Sequence, residues 1–215
     1  MSTIFGMPIP VILGQLTLGL VNGSFYALLS LGLAVIFGLM GVVNFAHGAF
    51  YTLGAFAALL GLQYLGINYW VALLAAPLAV GLLGVLVERL LLRHLYGLDP
   101  LYGLLLTFGL ALIVEGSLHQ VFGASGQSYP VPESLSGVLN LHFMFLPLYR
   151  AWVILASVVV IGGMGSILGA IVSGLVLGLV EGLTKVIYPE ASTIVVFVIM
   201  ALVLILRPAG LFGRE

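Results

Sequence analysis

The sequence predicts an all-α integral membrane protein of about seven transmembrane helices, with a broken polar element at Gly41–Gly48. Three observations predict it. Hydrophobic residues make up 62% of the 215 residues and charged residues only 6%, with a mean hydropathy of +1.31. A soluble surface needs roughly a quarter to a third charged residues, so this chain cannot cover a water-facing surface and is expected in lipid. Its apolar residues come in runs of about 20, the length of a helix that crosses a bilayer core, and the alternating strands of a membrane barrel are not visible.

Taken in order, the spans run from about Val11 to Leu39, Phe50 to Tyr64, Trp70 to Leu92, Leu101 to Phe122, Leu148 to Gly162, Ser166 to Ile187 and Thr193 to Leu206. The first is long and carries a polar interruption at Asn22-Gly23-Ser24. The second is short, and the Asn44 stretch is placed to complete it. Helical periodicity is weak because the helices are apolar nearly all round, as lipid and a buried interior both allow. Residues 1–215 read as a single transmembrane domain. The N-terminus lacks a basic region and a small-residue cleavage site, and its apolar run is too long for a signal peptide.

Net charge is −1, which argues against nucleic acid as a partner. Without cysteine, disulfides and thiolate metal sites are excluded. Orientation follows from Lys and Arg near the span ends. Arg89 and Arg93 place the loop after the third span in the cytoplasm, and Arg207 and Arg214 place the C-terminus there. The loop from Gly123 to Pro147 has neither Lys nor Arg and is expected outside, with Arg150 just beyond it as a mild contradiction. Seven spans then put the N-terminus outside.

The organising stretch is Gly41-Val42-Val43-Asn44-Phe45-Ala46-His47-Gly48. Asn44 and His47 are three apart and would share a face on a helix. Polar groups at membrane depth are either satisfied internally or line a watery path. Asn22, Asn44 and His47 are therefore candidate residues of a substrate pathway, with a hydrogen-bonding role at a helix break as the alternative. The sixth span carries small residues four apart, Gly162, Ser166, Ala170, Gly174, Gly178 and Gly182, with a second row at Gly165, Gly169 and Ser173. Such rows let helices approach closely in lipid. Gly19 and Gly23 of the first span offer a match within the chain, and another subunit is the other possible partner. Glu181 and Lys185 have the spacing of a helical ion pair, and Glu115 and His119 repeat it. Both sets read as interfacial or as functional. Glu88, Arg89, Arg93 and His94 read as interfacial anchors.

Enzyme chemistry finds no support. There is no Gly-x-Ser-x-Gly elbow, no His-Glu-x-x-His pair and no phosphate loop. The four histidines, at 47, 94, 119 and 142, do not have metal-ligand spacing. The expectation is no catalytic residue, no metal and no cofactor.

The run Gly19-Leu20-Val21-Asn22-Gly23-Ser24-Phe25-Tyr26-Ala27-Leu28, followed by Gly41 to Gly48, resembles the N-terminal signature of branched-chain amino-acid ABC transporter permeases of the LivH type. Val87-Glu88-Arg89 resembles the charged end of that family's third helix. Gly162-Gly163-Met164-Gly165-Ser166-Ile167-Leu168-Gly169-Ala170 is similar to its glycine-rich C-terminal signature, Leu177 to Glu181 follow in register, and Arg207 to Gly213 resemble its tail. Leu168 stands where the family usually has Pro, and Ala49 where an acidic residue is common. Val158-Val159-Val160 runs almost directly into Ile161-Gly162-Gly163, so an internal deletion of several tens of residues is expected near Val160, taking with it a basic cytoplasmic loop. The resemblance implies a multi-pass permease subunit of the inner (plasma) membrane with no chemistry of its own. It also implies a second permease subunit, two ATPase subunits and an extracytoplasmic substrate-binding protein, with leucine, isoleucine, valine or a related substrate. A self-contained secondary transporter or channel, and an assembly-defective permease remnant, remain as alternatives.

Overall fold

The apolar runs become seven α-helices among the described residues. They are α1 (Ile9–Met40), α2 (His47–Leu65), α3 (Tyr69–Leu90), α4 (Pro100–Phe122), α5 (Leu148–Gly162), α6 (Leu168–Ile187) and α7 (Ser192–Leu206). The computed structural model describes residues 3–4, 7–40, 44–162 and 168–206. Gly165, Ser166, Arg207, Arg214 and the first three residues of the Gly41–Gly48 stretch lie outside the described residues. Four stretches, Ile9–Ile36, His47–Leu65, Tyr69–Leu95 and Pro100–Phe122, are long and apolar enough to cross a membrane, so the protein is a multi-pass membrane protein. α6 has 20 residues, α5 and α7 have 15 each. At 1.5 Å per residue, the described parts of α5 and α7 rise about 22 Å each.

The chain divides into two compact units, Met1–Ala34 with Glu133–Glu215, and Val35–Pro132. In the first unit α1 runs without a break through Asn22-Gly23-Ser24. The buried Ser24 hydroxyl donates to the Leu20 carbonyl at 2.9 Å, so this polar group is satisfied inside its own helix. α6 lies against α1 along a seam of glycines. A Cβ on Gly174 would stand 2.6 Å from the Ala27 nitrogen, one on Gly19 2.6 Å from the Gly178 carbonyl oxygen, and one on Gly182 2.6 Å from the Gln15 carbonyl oxygen. No side chain fits between these backbones, and lipid offers no hydrophobic drive to join helices, so contact at backbone range is what holds them. Ala27, Leu31 and Ile171 form a buried cluster at one end of the seam, with Leu175 against it. Gly162 is the last described residue of α5, and Gly169 and Ala170 stand in the first described turn of α6.

In the second unit α2 and α3 form a helical hairpin. Gly66 takes a left-handed conformation (φ 64°) that ends α2, and the Gly66 and Ile67 N–H groups donate back to the Leu62 and Gly61 carbonyls. Asn68 then caps α3, its Oδ1 accepting from the Val71 N–H at 3.0 Å. Asp99 caps α4 in the same way, accepting from Leu101 N–H at 2.9 Å, and Pro100 occupies the first helical position.

Two short antiparallel ribbons depart from the purely helical expectation: β1 (Thr3–Ile4) with β2 (Met7–Pro8), and β3 (Val138–Asn140) with β4 (Phe145–Pro147). Asn140 Oδ1 accepts from the His142 N–H at 2.8 Å, His142 takes a positive φ of 66°, and Leu141 N–H donates to Met144 O. This turn sits in a ten-residue, largely apolar segment, Val138 to Pro147, which is too short to be read as a span. The fold class remains all-α.

The seam sets an expectation. Gly178→Ala places a methyl group against the Gly23 backbone and should cost at least the upper end of the about 1–3 kcal/mol of core overpacking. Gly81→Ala, with nothing within 4 Å, should be neutral or slightly stabilising. Thermal unfolding of the two purified variants in detergent, followed by size-exclusion profile, checks both.

Candidate functional site

The polar stretch of the second unit is a turn leading into a helix, not a helical face. Asn44 lies before α2, and His47 is the first residue of α2. The Asn44 side chain folds back so that Oδ1 accepts from the Ala46 N–H at 2.9 Å, the local bond by which Asn competes with helix formation. From Asn44 onward the stretch is therefore an Asx-type turn at the entry to a helix, a break in place of a continuous helical face. The Phe45 N–H donates to Thr107 Oγ1 at 3.2 Å, and that hydroxyl donates to the Leu104 carbonyl. Thr107 is 1% exposed and is what ties the turn to α4. The Phe45 and Phe108 rings meet edge to face at 6.3 Å.

Beyond that turn, α2 and α4 border a half-open cavity of about 600 Å³. Phe45, Gly48 and Thr52 line it from the α2 side, Glu115 and His119 from α4, and the loop from Gly123 to Tyr129 closes one end. The Tyr129 hydroxyl is buried and has no hydrogen-bond partner among the described residues. Burial, and then the neighbouring Tyr69, push its pKa above the ordinary tyrosine value, so it stays a neutral donor. Gln127 donates to the Phe122 carbonyl at 3.2 Å, holding the loop to the end of α4.

The first unit carries the other predicted polar residue, Asn22, and it belongs to a cluster. Tyr26 donates to Glu181 Oε2 at 2.7 Å, Asn22 Nδ2 donates to Glu181 Oε1 at 3.4 Å, and Lys185 forms an ion pair with Glu181. Glu181 is only 6% exposed. It lies near the end of α6, as its position requires, yet it faces Asn22, which stands at the middle of the Ile9–Ile36 span. A buried carboxylate with three donors replaces the interfacial pair that spacing alone suggested. A second cavity of about 380 Å³ adjoins it, with Gln15, Asn22, Arg150 and Lys185 in its wall. Tyr26 was missed as a site residue. The available signal was that Asn22 and Tyr26 are four apart beside Gly19 and Gly23, as Glu181 and Lys185 are beside Gly178 and Gly182.

Lys185→Met should leave a buried carboxylate without its cation and lower stability by about 1–3 kcal/mol. The double variant with Glu181→Gln should recover part of that loss. A double-mutant cycle on thermal unfolding measures the coupling.

Comparison with known proteins adds the following. A family model described as branched-chain amino acid transport system, permease component, matches residues 15–160. The high-affinity branched-chain amino acid transport system permease protein BraD of Pseudomonas aeruginosa is 28% identical over 133 residues, 58% of this chain and 43% of that protein. The corresponding permease protein LivH of Escherichia coli K12 is 26% identical over 126 residues, 55% of this chain and 41% of that protein. LivH of Salmonella typhimurium matches to the same extent, 26% over 126 residues. These matches span about two-fifths of the relatives' own length. No solved structure matches. The family match stops at Val160, two residues before the glycine run that begins at Gly162.

Proposed function

This chain belongs to the branched-chain amino acid transport permease family, whose model covers residues 15–160 of its 215, and we propose that it is a permease subunit of an ABC importer for branched-chain amino acids. The family match carries this reading. It is supported by four stretches able to span a membrane and by Asn22, which stands at the middle of the first of them. The two units then act as one transmembrane permease domain in the inner membrane. A second permease subunit completes the translocation path. Two ATPase subunits drive it, and an extracytoplasmic binding protein delivers substrate. ATP binding and hydrolysis switch the pair between outward and inward states that differ in substrate affinity. The chain itself has no catalytic role.

Asn44 and His47 in the second unit and Asn22 in the first are proposed to line the path. The small residues Gly162, Gly165, Ser166, Gly169, Ala170, Gly174, Gly178 and Gly182 are proposed as the packing row of the C-terminal half. The Arg89–Arg93 segment and the C-terminus are assigned to the cytoplasm, and the loop from Gly123 to Pro147 to the outside, by the distribution of Lys and Arg.

One observation favours a second reading, a gradient-driven transporter. Glu181 is buried beside the middle of a membrane span, where a titrating acid could couple substrate to protons. Reconstitution decides between the two. The tagged chain, co-expressed with candidate permease and ATPase partners, should show ATP hydrolysis stimulated by leucine-loaded binding protein, and alanine at Asn44 and His47 should reduce uptake while assembly persists. Uptake by the chain alone, driven by a pH gradient and indifferent to ATP, would establish the second reading instead. Orientation is checked in the same preparation: a label that cannot cross the membrane should reach Glu133→Cys from outside and His94→Cys only from inside.

A further inference from the structure

Glu115 sits seven residues before the end of α4, about 10 Å along a helix whose span ends at Phe122. A carboxylate at that depth requires a partner or water. Among the described residues no ion pair reaches it, and the cavity it lines contains neither Lys nor Arg. On the same cavity stands the buried Tyr129 hydroxyl, a donor with nothing to donate to. The two unmet groups are opposite in sense: one calls for a cation, the other for an acceptor. Phe45, Phe56, Leu59, Val114 and Leu118 make an apolar stretch of the wall, and Thr52, His119, Ser125 and Gln127 add polar groups elsewhere on it. At about 600 Å³ the space lies within the ordinary range of small-molecule sites.

We propose that this cavity binds a zwitterionic amino acid with an aliphatic side chain, its ammonium group on Glu115, its carboxylate on the Tyr129 hydroxyl and its side chain along the Phe45–Phe56–Leu59 wall. The inference rests on the permease reading and gives it a substrate contact point that the family match does not locate. Specificity follows from the two ends. A ligand without an ammonium group forgoes the charge pair with Glu115, and one without a carboxylate leaves the buried Tyr129 hydroxyl unmet, which is costly. The apolar wall tolerates leucine, isoleucine and valine alike, because differences of one methylene are worth little in such a pocket.

The test is direct binding of radiolabelled leucine to the purified full chain in lipid nanodiscs, with competition by 3-methylbutylamine, which lacks the carboxylate, and 4-methylpentanoate, which lacks the ammonium group. Leucine should bind and the amine should compete more weakly. The acid should not compete. Glu115→Gln should weaken leucine binding about tenfold or more, as expected for loss of a charge-assisted bond, and Tyr129→Phe, which keeps the ring, about fivefold. A monodisperse size-exclusion profile for each variant shows that it has folded. Wild-type affinity in both variants, equal competition by the amine and the acid, or no leucine binding by the wild-type chain would each overturn the proposal. The assembled importer separates this from the parent reading. Uptake at the wild-type rate with both variants in place overturns the site and leaves the permease standing. Glu115-dependent binding without ATP-driven uptake leaves the site standing and removes the importer.

Discussion

Everything in the first unit depends on two helices meeting at backbone range. Gly19 and Gly23 of α1 and Gly174, Gly178 and Gly182 of α6 leave no room for a Cβ between them. Dispersion contacts and weak Cα–H bonds fall off within a fraction of an ångström, so in lipid this proximity substitutes for the hydrophobic drive that joins helices in water. It also brings the Glu181 carboxylate within reach of Asn22 and Tyr26. Were the helices held apart by ordinary side chains, Glu181 would keep only Lys185.

The main polar clusters of the two units differ, although among the described residues each unit also holds one buried, unpartnered atom, Gln15 Oε1 in the first and the Tyr129 hydroxyl in the second. In the first, Glu181 is surrounded by donors supplied by the chain itself, and Ser24 and Ser157 donate to carbonyls one turn back. In the second, the turn at Asn44 is closed by its own Asx bond and by Thr107, but Glu115 and Tyr129 stand on a cavity with their polar capacity unused. A closed network suits a scaffold, since a buried charge with its partners in place resists rearrangement. Unused capacity beside an apolar wall suits a place where something arrives and leaves.

The sequence discloses the helices well, because length and apolar composition are sufficient for a span in lipid and neither depends on tertiary detail. The glycine row of α6 is likewise visible, as is its match at Gly19 and Gly23. What cannot be read is which polar groups meet across helices. Glu181 and Lys185 look self-sufficient at i, i+4 spacing, and only the seam geometry adds Tyr26 and Asn22. The broken element at Asn44 is visible, but not the bond that shapes it: the Asn44 side chain turns back to the Ala46 N–H and keeps the residue outside the helix. Tyr129 carries no pattern at all. It lies in a polar loop and matters because of burial, which spacing along a chain does not encode. The β3–β4 ribbon is hidden for a related reason, since its turn depends on one side-chain bond at Asn140.

The α2–α3 hairpin has a consequence for how the chain enters the membrane during synthesis. Among the four long spans α2 is the least apolar and α3 the most apolar. Only Gly66, Ile67 and Asn68 separate them, and both helix ends at that connection are capped by the chain itself. A connection this short gives the two segments little freedom to part at the insertion machinery. α2, with its glycine and polar content, is carried into the bilayer by the free energy of its neighbour, and the residues that line the α2 side of the cavity are free to be chosen for what they bind rather than for how readily they insert.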